Sequence, residues 1–396
     1  MNIYLLKKIK KIKYISIIDM IKIIIFIFLG NILKILNKKK IWIINEDRYG
    51  ANDNGYKFFK FLREKYSEVN VYYIIDVNSS YYEKVRKYEK VINWGSLQHW
   101  LIYFVADKII YTQLGTAPSQ LIFALEILGI IKSKRIFLQH GITMNYYESL
   151  KYQNTKLKGF ICGAKPEYDF IKNEFGYPDG IVQYTGFARF DDLYNYKLKN
   201  QIIVMPTWRS WLTNNGVSEK ENIKFTLSDF YKNYNMFLEN KKLITFIEKN
   251  NINIYFYLHR EMQEYIKYFT SKSKNIKIIS RFEKNIQELI KDSKLMITDY
   301  SSVSNDFSYM KKPIIYFQFD SIKFRKLHGK KGYFSYEKDG FGLVVKTVDE
   351  LVKETIKNIE NNFLLSEKYR NNINKFYQIC DNNNCERIYN FIKEMK

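Results

Sequence analysis

Short runs of four or five consecutive apolar residues recur along most of this chain, separated by stretches whose apolar residues return every three or four positions. Runs of the first kind mark strands buried on both faces, and stretches of the second kind mark helices with one packed face. From Lys40 onward, Ile41-Trp42-Ile43-Ile44 predicts a strand, followed by the polar loop Asn45 to Asn54 and a helix from Gly55 to about Tyr66. Further strands are predicted at Val71 to Ile75, Val91 to Trp94, Lys108 to Tyr111, Arg135 to Leu138, Gly159 to Cys162 and Ile181 to Tyr184, with a helix at Leu97 to Phe104. After a polar link at Asn195 to Asn200 the same grammar restarts. Strands are predicted at Gln201 to Met205, Asn253 to Leu258, Lys277 to Ser280, Leu295 to Thr298 and Pro313 to Phe317. Helices are predicted as one long amphipathic element at Ser228 to Asn250, then at Thr347 to Asn361 and Leu365 to Lys396. Repeated alternation of this kind predicts an α/β fold with two mostly parallel, doubly wound sheets. The expected division is residues 1–39, residues 40–195 and residues 200–396, the two larger pieces facing each other across a cleft.

Residues 1–39 follow a different pattern. The first forty residues hold ten Lys and a single acidic residue, Asp19. Leu5, Ile9 and Ile12 share one helical face while Lys7 and Lys11 lie on the other. The apolar run Ile23 to Leu33 is eleven residues long and is bracketed by Lys22 and Lys34. A spanning helix needs about 20 apolar residues, so this run predicts no transmembrane segment. No small-residue cleavage site follows it, which argues against a secretory signal. A basic, Ile-rich pair of amphipathic helices lying on an acidic membrane surface accounts for both features. The alternative is a helix packed on the first domain with its lysines in water.

Charge and composition narrow the class of partner. The chain of 396 residues carries 64 Lys+Arg against 41 Asp+Glu, a formal net charge of +23. That balance favours anionic partners, although abundant Lys, Ile, Asn and Tyr also fit drift in a genome rich in A and T. At 46% hydrophobic residues, global disorder is excluded. Cys162, Cys380 and Cys385 have unrelated spacings and no matching His cluster, which predicts reduced thiols, a cytosolic setting and no structural zinc.

The polar signals cluster at strand ends, where doubly wound sheets bind their ligands. His140 and Gly141 directly follow a predicted strand, and so do His259 and Arg260; His99 sits mid-helix and reads as structural. Only four His occur in the chain, so two at strand ends are a large share. The stretch Thr298-Asp299-Tyr300-Ser301-Ser302 runs from a strand into a helix start. Such a junction serves as an ordinary N-cap or as a phosphate cradle, and the two uses share the same N–H groups. Thr207, Arg209, His259 and Arg260 with Ser301 and Ser302 are the candidates to converge on a diphosphate. No Walker loop and no Gly-x-Gly-x-x-Gly follow a strand, which removes nucleoside triphosphate hydrolysis and nicotinamide chemistry. Carboxylate pairs at metal-binding spacing are missing; Asp191-Asp192 is the nearest candidate, with a helix cap as the alternative reading.

Taken in order, these motifs resemble the CDP-glycerol glycerophosphotransferase family, which builds teichoic acids and related capsular polymers of polyol phosphate. The resemblance covers roughly residues 40–385 and is carried by Glu46-Asp47-Arg48 with Ala51-Asn52-Asp53-Asn54-Gly55, by Gln139-His140-Gly141, and by Thr185-Gly186-Phe187-Ala188-Arg189-Phe190-Asp191. It continues through Pro206-Thr207-Trp208-Arg209, His259, Thr298-Asp299-Tyr300-Ser301-Ser302, Asp306, Lys312-Pro313-Ile314-Ile315-Tyr316, and Gly332-Tyr333-Phe334 with Tyr336-Glu337.

The resemblance implies a GT-B-like fold with the activated donor, CDP-glycerol, held mainly by the C-terminal domain. It implies peripheral attachment to the cytoplasmic face of the cell membrane, where a lipid-linked anionic polymer is extended. No tightly bound cofactor, no metal site and no nucleic-acid partner follow from it. Matched residue by residue, His140 is the implied general base and His259 the second essential His, while Thr298, Ser301 and Ser302 are implied to hold the donor diphosphate. Thr207, Arg209 and Arg260 join them as phosphate-binding candidates, with Gly141 and Asp299 in support. Gln139, Ile142 and Arg260 stand where many members have Trp, Thr and Pro. These departures bear on the polyol and the acceptor. The alternatives are ribitol-phosphate transfer, a GT-B glycosyltransferase using another nucleotide-activated donor, or a non-catalytic basic binding protein.

Overall fold

The computed structural model describes residues 17–36, 40–114, 117–194, 196–213, 224–280, 283–284, 286–327 and 331–395. The amphipathic face expected at Leu5, Ile9 and Ile12 lies outside the described residues. The chain divides into two compact units, one within Met1–Ile142, Tyr147–Asp192 and Ile379–Lys396, the other within Thr143–Tyr146 and Leu193–Gln378.

In the first unit seven parallel strands form one sheet: β1 (Trp42–Asn45), β2 (Val71–Ile75), β3 (Val91–Asn93), β4 (Lys108–Tyr111), β5 (Lys134–Phe137), β6 (Gly159–Cys162) and β7 (Val182–Tyr184). Their spatial order is β3-β2-β1-β4-β5-β6-β7. The sheet reverses direction of growth between β1 and β4, where Trp42 pairs with Lys108 and Asn45 with Tyr111. All four residues of β1, β4 and β6 are buried, as continuous apolar runs require when helices cover both sheet faces. The helix Asn54–Lys65 follows β1 and buries Tyr56, Phe58, Phe59 and Leu62, with Asp53 capping its start.

The second unit repeats the plan with six parallel strands: β8 (Gln201–Met205), β9 (Asn253–Tyr257), β10 (Ile276–Ile279), β11 (Leu295–Thr298), β12 (Ile314–Phe317) and β13 (Gly342–Val345). Their order is β10-β9-β8-β11-β12-β13, so the reversal lies between β8 and β11. Leu295 pairs with Ile202 and Thr298 with Met205 across that seam. The core beneath it joins Ile202, Val204, Tyr234, Phe256, Ile297 and Phe317, among others.

Several expected elements differ in detail. The single helix expected over Ser228 to Asn250 is two helices, Asp229–Leu238 and Lys241–Lys249. Asn240 breaks it because its side chain accepts the Leu243 N–H at 3.0 Å and starts a new helix. The C-terminal helix is likewise split into Glu367–Phe376 and Asn384–Glu394. The intervening Asp381-Asn382-Asn383 favours a turn, and Asp381 is tied to Arg387 at 2.8 and 2.9 Å. This break also shifts a boundary. Ile379–Lys396 belongs with the first unit, whereas the sequence division left it with the second. β13 has no counterpart among the expected strands. It is four residues long and opens on Gly342, where a Cβ would lie 1.8 Å from the Ile314 carbonyl oxygen.

The described N-terminal residues form one helix, Ile17–Leu36. It packs on the helix Leu97–Val105, and a Cβ on Gly30 would lie 2.7 Å from the Cβ of Phe104. Among the described residues no helix is long and apolar enough to cross a membrane.

Candidate active site

In the first unit the candidate residues hang from the end of β5. Leu138 and Gln139 are buried, and His140 is exposed. Gln139 takes a left-handed conformation with φ of +58°. Its side-chain amide donates to the Ile161 carbonyl at 2.6 Å and to Glu167 Oε1 at 3.0 Å. Glu167 also accepts the Gly163 N–H at 2.7 Å, which fixes the carboxylate that fixes the glutamine.

A second support comes from the loop after β1. Glu46 is buried and its two oxygens accept the backbone N–H groups of Asn52, Asp53 and Tyr56 at 2.7 to 2.8 Å. Burial pushes the Glu46 carboxyl pKa up to about 7, with the charge of Asp53 adding to the rise and the three N–H groups opposing it. The loop so formed delivers Asn54, whose Nδ2 donates to the carbonyls of Leu138 at 3.3 Å and Gln139 at 2.8 Å. Asn54 Oδ1 accepts the Arg189 N–H at 3.1 Å, and Arg189 Nη1 meets Asp53 Oδ1 at 2.8 Å.

Arg189 lies in the motif Thr185 to Asp191, which also forms a socket for the last helix. Gly186 has φ of +78°, and a Cβ there would lie 1.9 Å from Asn384 Oδ1. Glycine is therefore required for both conformation and space. Asp191 accepts the N–H groups of Asn384 and Cys385, each at 2.9 Å, so this carboxylate caps a helix.

In the second unit the candidates sit at the C-terminal ends of neighbouring strands β9, β8 and β11, on both sides of the reversal. Adjacent strands are about 4.8 Å apart, so three strand ends span roughly 10 Å. His259 follows β9, is half-buried, and faces Trp208 with ring centroids 6.3 Å apart and planes 24° from parallel. Its Nδ1 accepts the Glu261 N–H at 3.3 Å, which leaves the proton of the neutral ring on Nε2. Arg260 is exposed and contacts Glu261 at 3.2 Å.

The residues after β11 form a built loop. Asp299 is fully buried; its Oδ1 accepts the N–H groups of Thr207 at 2.8 Å and Tyr300 at 2.6 Å. Gln318, just past β12, donates to the Asp299 carbonyl at 2.8 Å. Ser301 and Ser302 are half-buried at the start of the helix Val303–Tyr309, and Ser302 makes no side-chain capping bond. Two polar groups nearby are buried without a hydrogen-bond partner: the Thr207 hydroxyl and both ends of the Asn305 side-chain amide.

Two expected phosphate contacts take other roles. Arg209 is fully buried, and its guanidinium pairs with Asp299 at 2.8 Å and with Asp320 at 2.7 and 3.1 Å. Its remaining nitrogen donates to the Thr207 carbonyl at 2.6 Å. Burial alone would lower its pKa, but Asp299 and Asp320 more than offset that and raise it. Every guanidinium nitrogen is thus spent beneath the loop, and none is left for a ligand. Thr298 is fully buried too, and its hydroxyl donates to the Met205 carbonyl at 2.7 Å, stitching β11 to β8. Sequence reasoning missed Asp320, Gln318, Asn54 and Glu167 as parts of the site. Asp320, Gln318 and Glu46 share one signal that could have found them: a polar side chain just after a buried apolar strand.

Comparison with known proteins places these features in a context. A family model described as CDP-Glycerol:Poly(glycerophosphate) glycerophosphotransferase matches residues 25–394. The minor teichoic acid biosynthesis protein GgaB of Bacillus subtilis (strain 168) is 34% identical over 373 residues, 92% of this chain and 41% of its own length. A teichoic acid poly(glycerol phosphate) polymerase of Bacillus spizizenii (strain ATCC 23059 / NRRL B-14472 / W23) is 29% identical over 265 residues, 62% of this chain and 58% of its own. The chain therefore spans about half the length of these curated relatives. Among solved structures, the wall teichoic acid polymerase TagF matches with a TM-score of 0.65 at 15% identity, covering 100% of this chain and 98% of that one. This likeness shows the fold, two doubly wound α/β units of GT-B-like type.

Proposed function

Because the chain belongs to the CDP-glycerol:poly(glycerophosphate) glycerophosphotransferase family, we propose that it moves glycerol phosphate from CDP-glycerol to a hydroxyl of a lipid-linked primer or growing polyol-phosphate polymer, releasing CMP. The product is a teichoic acid or related capsular polymer. The observation that carries the reading is the second unit's strand-end cluster. His259, Thr207, Ser301 and Ser302 lie around the reversal of a parallel sheet, the place where such sheets bind nucleotides, and the Thr207 hydroxyl is buried without a partner.

In this reading His259, Arg260, Thr207, Ser301 and Ser302 donate hydrogen bonds to the donor's diphosphate. Arg209, Asp299 and Thr298 hold the loops that present them. The acceptor hydroxyl oxygen attacks the phosphorus that bears glycerol, and its proton passes to His140. The bond from that phosphorus to the bridging oxygen breaks, and CMP departs with the bond's electron pair. Transfer of this kind depends on positioning and charge neutralisation more than on covalent help from the protein. The exposed His140 imidazole supplies the general base.

The enzyme acts at the cytoplasmic face of the membrane, held peripherally on acidic lipid by its basic N-terminal segment. The test is nucleotide release with a lipid-linked acceptor, read as CMP from CDP-glycerol or CDP-ribitol and as UDP from a UDP-sugar. Turnover is expected with CDP-glycerol and to fall about 100-fold or more in His140→Ala, with the unfolding midpoint unchanged. Absence of CMP release from CDP-glycerol, with turnover of another donor, replaces this reading by that donor's chemistry.

A further inference from the structure

We propose that Asn54 is the positioning residue for His140, a role that rests on the reading of His140 as the general base. Asn54 touches neither donor nor acceptor in this account; it acts on the two peptide units that lead into the histidine. Its Nδ2 donates to the carbonyls of Leu138 and Gln139 at 3.3 and 2.8 Å, while Oδ1 accepts the Arg189 N–H at 3.1 Å. The side chain is completely buried, so water supplies none of these bonds.

The need for such a clamp comes from Gln139. A residue with a side chain at φ of +58° costs about 1 kcal/mol or more relative to ordinary backbone. That conformation persists only if the surroundings over-determine it. Here the Gln139 carbonyl is held by Asn54 and its side chain by Glu167 and the Ile161 carbonyl. The left-handed residue turns the chain so that Gln139 stays buried while the next residue, His140, faces solvent. Releasing the carbonyl lets the peptide between them rotate toward ordinary backbone, and the imidazole rotates with it.

Asparagine is suited to this place because two carbonyls and one N–H must be met by one short side chain. Aspartate would set a carboxylate against two carbonyl oxygens, and alanine would remove all three of these bonds from a buried site. The loop that carries Asn54 is itself preset by Glu46, which gathers the N–H groups of Asn52, Asp53 and Tyr56. The motif Glu46 to Gly55 thereby acts on the chemistry from a strand away.

The experiment compares Asn54→Ala, Asn54→Ser and Asn54→Asp with His140→Ala in the full chain, measuring kcat, the KM for CDP-glycerol, and unfolding by urea. Variants that fold are expected to lose about tenfold to 100-fold in kcat while KM stays within about twofold. The acidic limb of their pH–rate profile is expected to move, because the imidazole's surroundings change. A wild-type kcat in any folded Asn54 variant overturns the proposal. So does a loss confined to KM, or failure of all three to fold. Activity retained by His140→Ala overturns the general-base reading instead, and the two failures are told apart by that one variant.

Discussion

Arg209 shows how much one buried side chain can organise. It joins the carbonyl of Thr207 after β8, the carboxylate of Asp299 after β11 and that of Asp320 after β12, three loops on neighbouring strands. Its guanidinium carbon also lies 5.1 to 5.2 Å from the ring centres of Phe324, Tyr300 and Phe230, and Tyr300 stacks on Phe324 at 3.8 Å. Removing one partner of a buried ionic group leaves the others charged and unpaired. Arg209→Met is therefore expected to cost about 3–5 kcal/mol in urea unfolding and to abolish turnover. Arg209→Lys should recover little of it, because an ammonium cannot form the forked pairing. Stability within about 1 kcal/mol of wild type in Arg209→Met would show that the triad is not a support. An arginine just after a strand is legible in the sequence as a candidate anion binder. Its use is not, because Asp320 lies 111 residues away along the chain.

At the scale of elements, the helix Ile17–Leu36 divides its apolar residues between two uses. Ile23 and Gly30 are buried, Phe26 lies 6.1 Å from Trp100, and Asp19 and Lys34 reach Ser119 and Ser133. Ile17, Ile18, Ile24, Phe28, Ile35 and Leu36 remain exposed on the same helix. Burying an exposed Ile or Phe side chain in an apolar medium contributes about 1.5–3 kcal/mol, so a few such residues bind a peripheral protein firmly. The double variant Ile24→Glu with Phe28→Glu should lower binding to anionic vesicles by at least about tenfold while its unfolding midpoint holds. Unchanged vesicle binding would assign attachment elsewhere. The hydropathy pattern alone offered a membrane face or a protein-packed face; the helix packs one side on the first unit and leaves an apolar side exposed. The same limit explains the helices split at Asn240 and near Asp381. Apolar periodicity runs through such breaks, and only the side-chain capping bonds or the turn locate them.

For the molecule as a whole, the chain's last segment returns to the first unit after completing the second. Tyr389 stacks on Tyr66 at 4.0 Å and lies 6.2 Å from Trp42, Glu386 meets Lys65 at 2.6 Å, and Asp191 caps the helix start. Ending the chain after Gln378 removes these contacts from the first unit only. The shortened chain is expected to lose several kcal/mol in that unit, seen as earlier urea unfolding and faster proteolysis within residues 40–192, with the second unit's transition unmoved. A first unit of undiminished stability would mean that the returning helix is an appendage.

Local physics is what the sequence could fix by itself. Buried parallel strands need unbroken apolar runs, so twelve of the thirteen described strands were legible, to within a residue or two at their ends. Polar residues at strand ends follow from the same pattern, which is why His140, His259 and Ser301 stood out before any fold was known. Tertiary structure decided which of those polar residues face solvent and which are consumed inside. Thr298 and Arg209 went inward because neighbouring strand ends supplied a carbonyl and two carboxylates at bonding distance. Asn54 reached the backbone before His140, 84 and 85 residues away, because β1 and β4 pair and β5 lies beside β4. Hydrogen bonds between residues distant in sequence depend on strand order, and strand order is a property of the packed sheet rather than of any window along the chain.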